Sequence, residues 1–264
     1  MDYDQQNARK LFTSFQIGAM QLSRRIVMSH LTRTRCPNGV PGDIVAKYYA
    51  QRATPGGLLI SEGILPSFMM LPTPPCTYTQ GHITAWGSVT DTVHARGAYL
   101  VCQLWHAISP MSFVEIRETI TDFAHASGCA IEAGFDCVET LEIFDTVSTA
   151  TETVRTAMRF SLFGVFLIPL DTDSLGTYRY VLSEIEERCF AYICLTQPQH
   201  DMFLPEIIEI DRLRSAAANS TSKWFVSIPD LVENIKRKLP LAPWNPELLY
   251  TGVEEGYTEY PALV

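Results

Sequence analysis

No block of Lys and Arg occurs anywhere in this sequence. The only basic cluster, Ile235-Lys236-Arg237-Lys238, is of a size that suits a helix C-terminus favoured by the macrodipole. With 20 basic against 29 acidic residues the net charge is -9 and the pI is near 5.1. Nucleic acid and anionic membrane surfaces demand a basic face, so neither is expected as the main partner. Cys-x-x-Cys spacing is missing as well. The seven cysteines (Cys36, Cys76, Cys102, Cys129, Cys137, Cys189 and Cys194) are odd in number and scattered, which fits reduced, buried thiols and not a disulfide framework. Cys129 and Cys137 flank no His at ligand spacing, so no metal site is expected. No apolar run reaches the length of a bilayer span, and Met1 to Gln6 is polar and acidic, unlike a signal or transit peptide. The expected location is cytoplasmic.

What is present in quantity is apolar. At 47% hydrophobic, 264 residues can bury one large core, and single α/β barrels commonly run to about 250 residues. One domain spanning 1–264 is expected. Along the chain, Arg25-Ile26-Val27-Met28 reads as a first strand, Asp43 to Ala53 as a helix that Asp43 can cap, and Leu58 to Gly63 as a second strand. Ile83 to Arg96 reads as a second amphipathic helix. Ala98 to Leu104 is then a third strand whose end carries Gln103, Trp105 and His106. Buried apolar strands alternating with helices make a parallel sheet, whose carboxyl ends are where such folds keep their ligands. Further on, Phe113 to Ala133 and Leu175 to Arg188 read as helices, and Phe135 to Glu139, Val154 to Ser161 and Ala191 to Leu195 as strands.

Several segments in register carry a family likeness: Phe15-Gln16-Ile17-Gly18, Leu31-Thr32-Arg33, Pro41-Gly42-Asp43, Tyr48-Tyr49-Ala50-Gln51-Arg52-Ala53, Leu59-Ile60-Ser61-Glu62-Gly63 and Gln103-Leu104-Trp105-His106. Together they resemble the N-terminal half of an old yellow enzyme, the flavin-dependent ene-reductase family built on a (β/α)8 barrel. The likeness is strong over 10–106 and degenerate over 107–264, where Gly256-Tyr257-Thr258-Glu259-Tyr260-Pro261 still matches the family's ending. The implied fold is an α/β, TIM-barrel-like domain, incomplete or rearranged in its C-terminal half. By the same resemblance Thr32, Gly63, Gln103 and Arg159 stand where the family meets the flavin ring.

The departures from the family bear on chemistry. Leu141 and Phe144 stand where the family has a His and a His or Asn that hydrogen-bond the substrate carbonyl, and neither side chain can donate. The family's phosphate-binding glycines and Gly-Arg are not found; Thr221-Ser222-Lys223-Trp224-Phe225 takes the latter's place, with Lys223 the one positive charge there. The expectation drawn from these losses is a cofactor-independent, non-redox tailoring enzyme: an isomerase, dehydratase or cyclase acting on a small, apolar, carbonyl-containing molecule. Its catalytic residues would be His30, Gln103, His106 and Arg159, and its substrate-binding residues Thr32, Glu62, Gly63, Trp105 and Phe144. An FMN-dependent NAD(P)H ene-reductase, with Thr32, Gly63, Gln103, Arg159 and Lys223 on the flavin, is the alternative; a non-catalytic partner protein is another. Missing barrel segments predict a homodimer.

Overall fold

The computed structural model describes residues 11–68, 73–106, 112–140, 151, 153–160, 180, 190–195, 229–237, 239, 254–255 and 257–260. An antiparallel hairpin, β1 (Phe15–Ile17) and β2 (Met20–Leu22), precedes a parallel sheet of six strands. These are β3 (Val27–Met28), β4 (Leu58–Ile64), β5 (Tyr99–Leu104), β6 (Cys137–Thr140), β7 (Thr156–Phe160) and β8 (Tyr192–Leu195), neighbours in chain order. Helix α1 (Asp43–Arg52) connects β3 to β4, α2 (Gln80–His94) connects β4 to β5, and α3 (Phe113–Glu132) connects β5 to β6. A short α4 (Leu231–Arg237) follows late in the chain, with Lys236 and Arg237 in its last turn. From β3 to β6 strand and helix alternate strictly, and every pairing in the six-stranded sheet is parallel, the construction of a (β/α) barrel.

The sheet curls, bringing His30, just beyond β3, within electrostatic reach of Arg159 on β7, four strands along the order. Period-two alternation sorts the side chains. Val27, Leu58, Ile60, Val101, Cys137 and Ala157 face inward and meet Ile17, Met20 and Leu22 of the hairpin. Met28, Leu59, Leu100, Cys102, Leu104 and Val138 face outward and pack under Val45, Tyr48, Tyr49, Trp86, Val93 and Phe123 of the helices. The hairpin is therefore a plug at the base. Its turn at Gly18 (φ +52°) lies so close to the starts of β7 and β8 that a Cβ there would stand 2.4 Å from the Val154 carbonyl and 2.9 Å from Ala191 Cβ. The apolar plug closes one end, and the carboxyl ends of the strands form the mouth at the other.

Local details differ from the sequence expectations. Asp43 does not cap α1: the N-cap is Gly42, with no side-chain bond, and Asp43 sits in the first turn, where its charge still favours the dipole. Thr79 caps α2 by accepting from the His82 N–H at 3.2 Å. A full capping box, Ser112 with Glu115, starts α3. The fourth barrel strand begins at Cys137 and not Phe135, because the Phe135 N–H is spent on Ala130 O at the end of α3. The fifth begins at Thr156, since Thr153–Arg155 forms a 3-10 turn. Leu141, Phe144 and Lys223, together with nearly all of the helix expected over Leu175 to Arg188, lie outside the described residues. Six of the seven cysteines are described, and all six are free thiols.

Candidate active site

The mouth is built by strand ends that alternation turns inward. Gln103 on β5 stands opposite Gly63 on one side and Glu139 of β6 on the other. Its Nε2 donates to Glu139 Oε1 at 2.5 Å, while Tyr192 of β8 donates its hydroxyl to Glu139 Oε2 at 2.8 Å. Arg159 of β7 donates to Cys194 Sγ at 3.5 Å and lies close enough to Glu139 to favour its charge. Burial pushes the Glu139 carboxyl above its ordinary range; Arg159 and the Gln103 and Tyr192 hydrogen bonds pull it back. Burial drives the Tyr192 phenol well up, with Glu139 adding to it, so it stays protonated and donating. The Cys194 thiol is raised to about 11, chiefly by burial, and is not a thiolate at neutral pH.

His30 borders this layer from the β3 side. Burial, with Arg159 second, lowers its pKa to about 3, so the imidazole is neutral throughout the physiological range. Ser29 Oγ lies 3.4 Å from its Nδ1. As a neutral ring it can offer one N–H as a hydrogen-bond donor, but it is a poor proton acceptor. Thr32 is half-buried in the loop that follows. Trp105 packs over Gly63 so closely that a Cβ on that glycine would stand 3.1 Å from Trp105 Cβ, and His106 follows, half-buried.

Glu62 does not join the mouth. Its Oε2 accepts from the backbone N–H of Arg33 (2.9 Å) and of Thr34 (2.8 Å), on the helix side of the sheet. There Tyr257 of the C-terminal turn stacks on Tyr48 of α1 (centroids 4.0 Å, planes 5° apart), and Arg33, Arg35 and Arg52 lie over these rings. Glu62 is buried on the helix side, its Oε2 taken by backbone and its Oε1 without a hydrogen-bond partner among the described residues, so it is not placed at the strand-end layer of Gln103 and Glu139. Two residues of the inner layer escaped sequence reasoning, Tyr192 and Cys194; their signal was the two-residue spacing within a strand whose partner already carried Arg159.

A polar layer at the carboxyl ends of parallel strands, above a base plugged with apolar residues, defines a (β/α)-barrel enzyme. The sequence pattern of the NADH:flavin oxidoreductase / NADH oxidase family matches residues 10–109. The flavin oxidoreductase hxnT of Emericella nidulans is 27% identical, the alignment covering 95% of this chain and 97% of that protein. The 12-oxophytodienoate reductase 2 of Arabidopsis thaliana is 25% identical, covering 96% of each. Among solved structures, morphinone reductase in complex with tetrahydroNAD superposes with a TM-score of 0.84 at 24% identity, over 96% of this chain and 98% of that one. The chain is thus similar to the flavin oxidoreductases of this family, the old yellow enzymes, in a shortened form. The hxnT alignment runs over 376 positions against 264 residues here while reaching both ends, so the shortening is internal.

These findings overturn two expectations. A cofactor-independent, non-redox isomerase or cyclase is not supported: the family and the relatives are flavin oxidoreductases and reductases. The expectation of no cofactor falls with it, in favour of FMN. The departures at Leu141, Phe144 and Lys223 lie outside the described residues, whereas Gln103, Glu139 and Arg159 form a polar inner layer. The residues that the resemblance sets at the ring have groups that could meet a flavin's edge of alternating carbonyl and N–H groups. Arg159 supplies a cation and Thr32 a hydroxyl; Gln103, with one N–H held by Glu139, keeps a second N–H and a carbonyl to offer. Gly63 keeps the strand end free of a side chain.

Proposed function

We propose that the protein is an FMN-dependent NAD(P)H oxidoreductase that reduces carbonyl-conjugated double bonds of small molecules in the cytoplasm. The inner layer of Gln103, Glu139, Tyr192 and Arg159 supports this reading most directly. FMN, when bound, supplies a two-electron carrier between the nicotinamide and the acceptor. Arg159 and Gln103 would hold the polar edge of the ring, the positive charge favouring its electron-rich form. Glu139, fixed by Tyr192, orients the Gln103 amide so that this donor needs no reorganisation. Gly63 and Trp105 would shape one wall. His30, neutral, and His106 would each be able to offer an N–H to a substrate carbonyl, a task for which Leu141 and Phe144 have no donor. Like the reductase named for 12-oxophytodienoate, the enzyme is taken to accept a substrate bearing an oxo group.

The test is reconstitution with FMN, gel filtration, and an anaerobic spectrum before and after NADH or NADPH, with 2-cyclohexenone as acceptor. Retained flavin absorbance that NAD(P)H bleaches and the enone restores is the expected result. Protein that emerges without flavin, or flavin that NAD(P)H leaves yellow, sinks the reading. We also take the active form to be a homodimer, with exposed Phe68, Val114 and Ile116 as apolar surface to cover. Light scattering that gives a monomer at micromolar concentration contradicts that.

A further inference from the structure

We propose that Glu62 is a positioning residue: its carboxylate holds Thr34 in a left-handed backbone conformation and thereby fixes Thr32, two residues earlier, at the flavin edge. This rests on the flavin reading above. Thr34 has φ +53°, a region that β-branched residues resist because Cβ crowds the backbone. The only other described non-glycine residue with positive φ is Asn38, exposed in a 3-10 turn and of a type that tolerates it. Thr34 therefore needs something to hold it. Two successive N–H groups, of Arg33 and Thr34, converge on the single oxygen Glu62 Oε2, a backbone nest around an anion. Burial raises the Glu62 carboxyl above its ordinary range, while these two N–H groups and the guanidinium groups of Arg33 and Arg35 pull it back towards the anion.

Glu62 is itself pinned. Its N–H donates to the Tyr49 hydroxyl of α1 at 2.8 Å, and the preceding Ser61 Oγ accepts from the Gln103 N–H at 2.9 Å. The register of β4 against β5 shifts at this point, between Ile60 and Gly63. The irregularity turns Glu62 to the helix side while Gly63 stays opposite Gln103. One residue thus ties the Thr32 loop, α1 and the strand end bearing Gly63 into one unit, and a strained loop held this way is preorganised for its ligand.

The experiment titrates FMN into wild type, Glu62→Gln, Glu62→Leu, Thr34→Gly and the Glu62→Leu/Thr34→Gly double variant, following quenching of flavin fluorescence, with melting curves in parallel. Glu62→Gln retains an oxygen acceptor and should bind within about 3-fold of wild type. Glu62→Leu should melt lower and bind at least about 10-fold more weakly, roughly the loss of one hydrogen bond to a charged group. Thr34→Gly alone should melt no lower than wild type, and added to Glu62→Leu it should restore the melting temperature but not the affinity. That split between stability and binding is what a merely structural carboxylate would not produce. A folded Glu62→Leu protein that binds FMN as wild type does overturns the proposal alone. So does a lower melting temperature for Thr34→Gly, or a double variant that fails to fold. Wild type that binds no FMN overturns the flavin reading itself, and this proposal with it.

Discussion

Glu62 on β4 and Glu139 on β6 are both fully buried carboxylates near strand ends, and burial pushes both above the ordinary carboxylate range. Their surroundings are opposite. Glu62 faces the helices and is bound by backbone N–H groups; Glu139 faces the barrel axis and is bound by the side chains of Gln103 and Tyr192. The first arrangement shapes chain path, the second orients donors. The outer shell between sheet and helices carries most of the apolar packing around the Glu62 cluster, while the inner face is apolar at the hairpin end and polar at the strand ends.

Breaking the outer shell should cost stability most. Trp86 of α2 is fully buried, contacts Tyr49 and Phe135, and donates its indole N–H to Cys76 O at 3.1 Å. Trp86→Ala is expected to lose about 3 to 5 kcal/mol, read from denaturant unfolding. A loss under about 1 kcal/mol would mean that the shell is not the packed core described here.

Breaking the inner layer should do the reverse. Arg159→Met is expected to lower turnover about 100-fold, by analogy with the loss of one preorganised donor, with the melting temperature nearly unchanged. Steady-state kinetics and a melting curve on the same sample check this, and an unfolded variant would transfer Arg159 to the structural side of the comparison.

His30 sharpens the comparison through pH. Its folded pKa of about 3 lies below the unfolded value of about 6.5. Its contribution to stability is thus complete above pH 6.5 and is lost as pH falls toward 3. At pH 5 the loss relative to pH 8 is about 2 kcal/mol. His30→Phe should flatten that part of the stability profile; an unchanged slope would show that the imidazole is open to solvent. The smallest effect expected is at the surface of the shell. Ser112→Ala, which removes the capping box of α3, should cost about 1 kcal/mol and leave kinetics alone.

Sequence reading reached the barrel because its signals are local. Leu58 to Gly63 and Ala98 to Leu104 are apolar runs with no Pro, and the helices between them repeat at 3.6 residues. Their parallel pairing follows from the crossovers. The resemblance singled out Thr32, Gly63, Gln103 and Arg159; in the structure Gly63, Gln103 and Arg159 stand at the carboxyl-terminal halves of strands of one sheet. Legibility ended where residues distant in sequence have to meet. Nothing in the spacing joins Gln103 to Tyr192, 89 positions apart, since only the curl of the sheet brings both to Glu139.

Periodicity by itself determined the parallel α/β sheet. Tertiary structure alone decided which side of the sheet each carboxylate serves. The register shift between Ile60 and Gly63 turns Glu62 outward to the Arg33–Thr34 backbone, whereas unbroken alternation on β6 keeps Glu139 facing in. A strand's side chains change face with every residue, so one irregularity, invisible in a list of residue types, is enough to exchange a site carboxylate for a structural one.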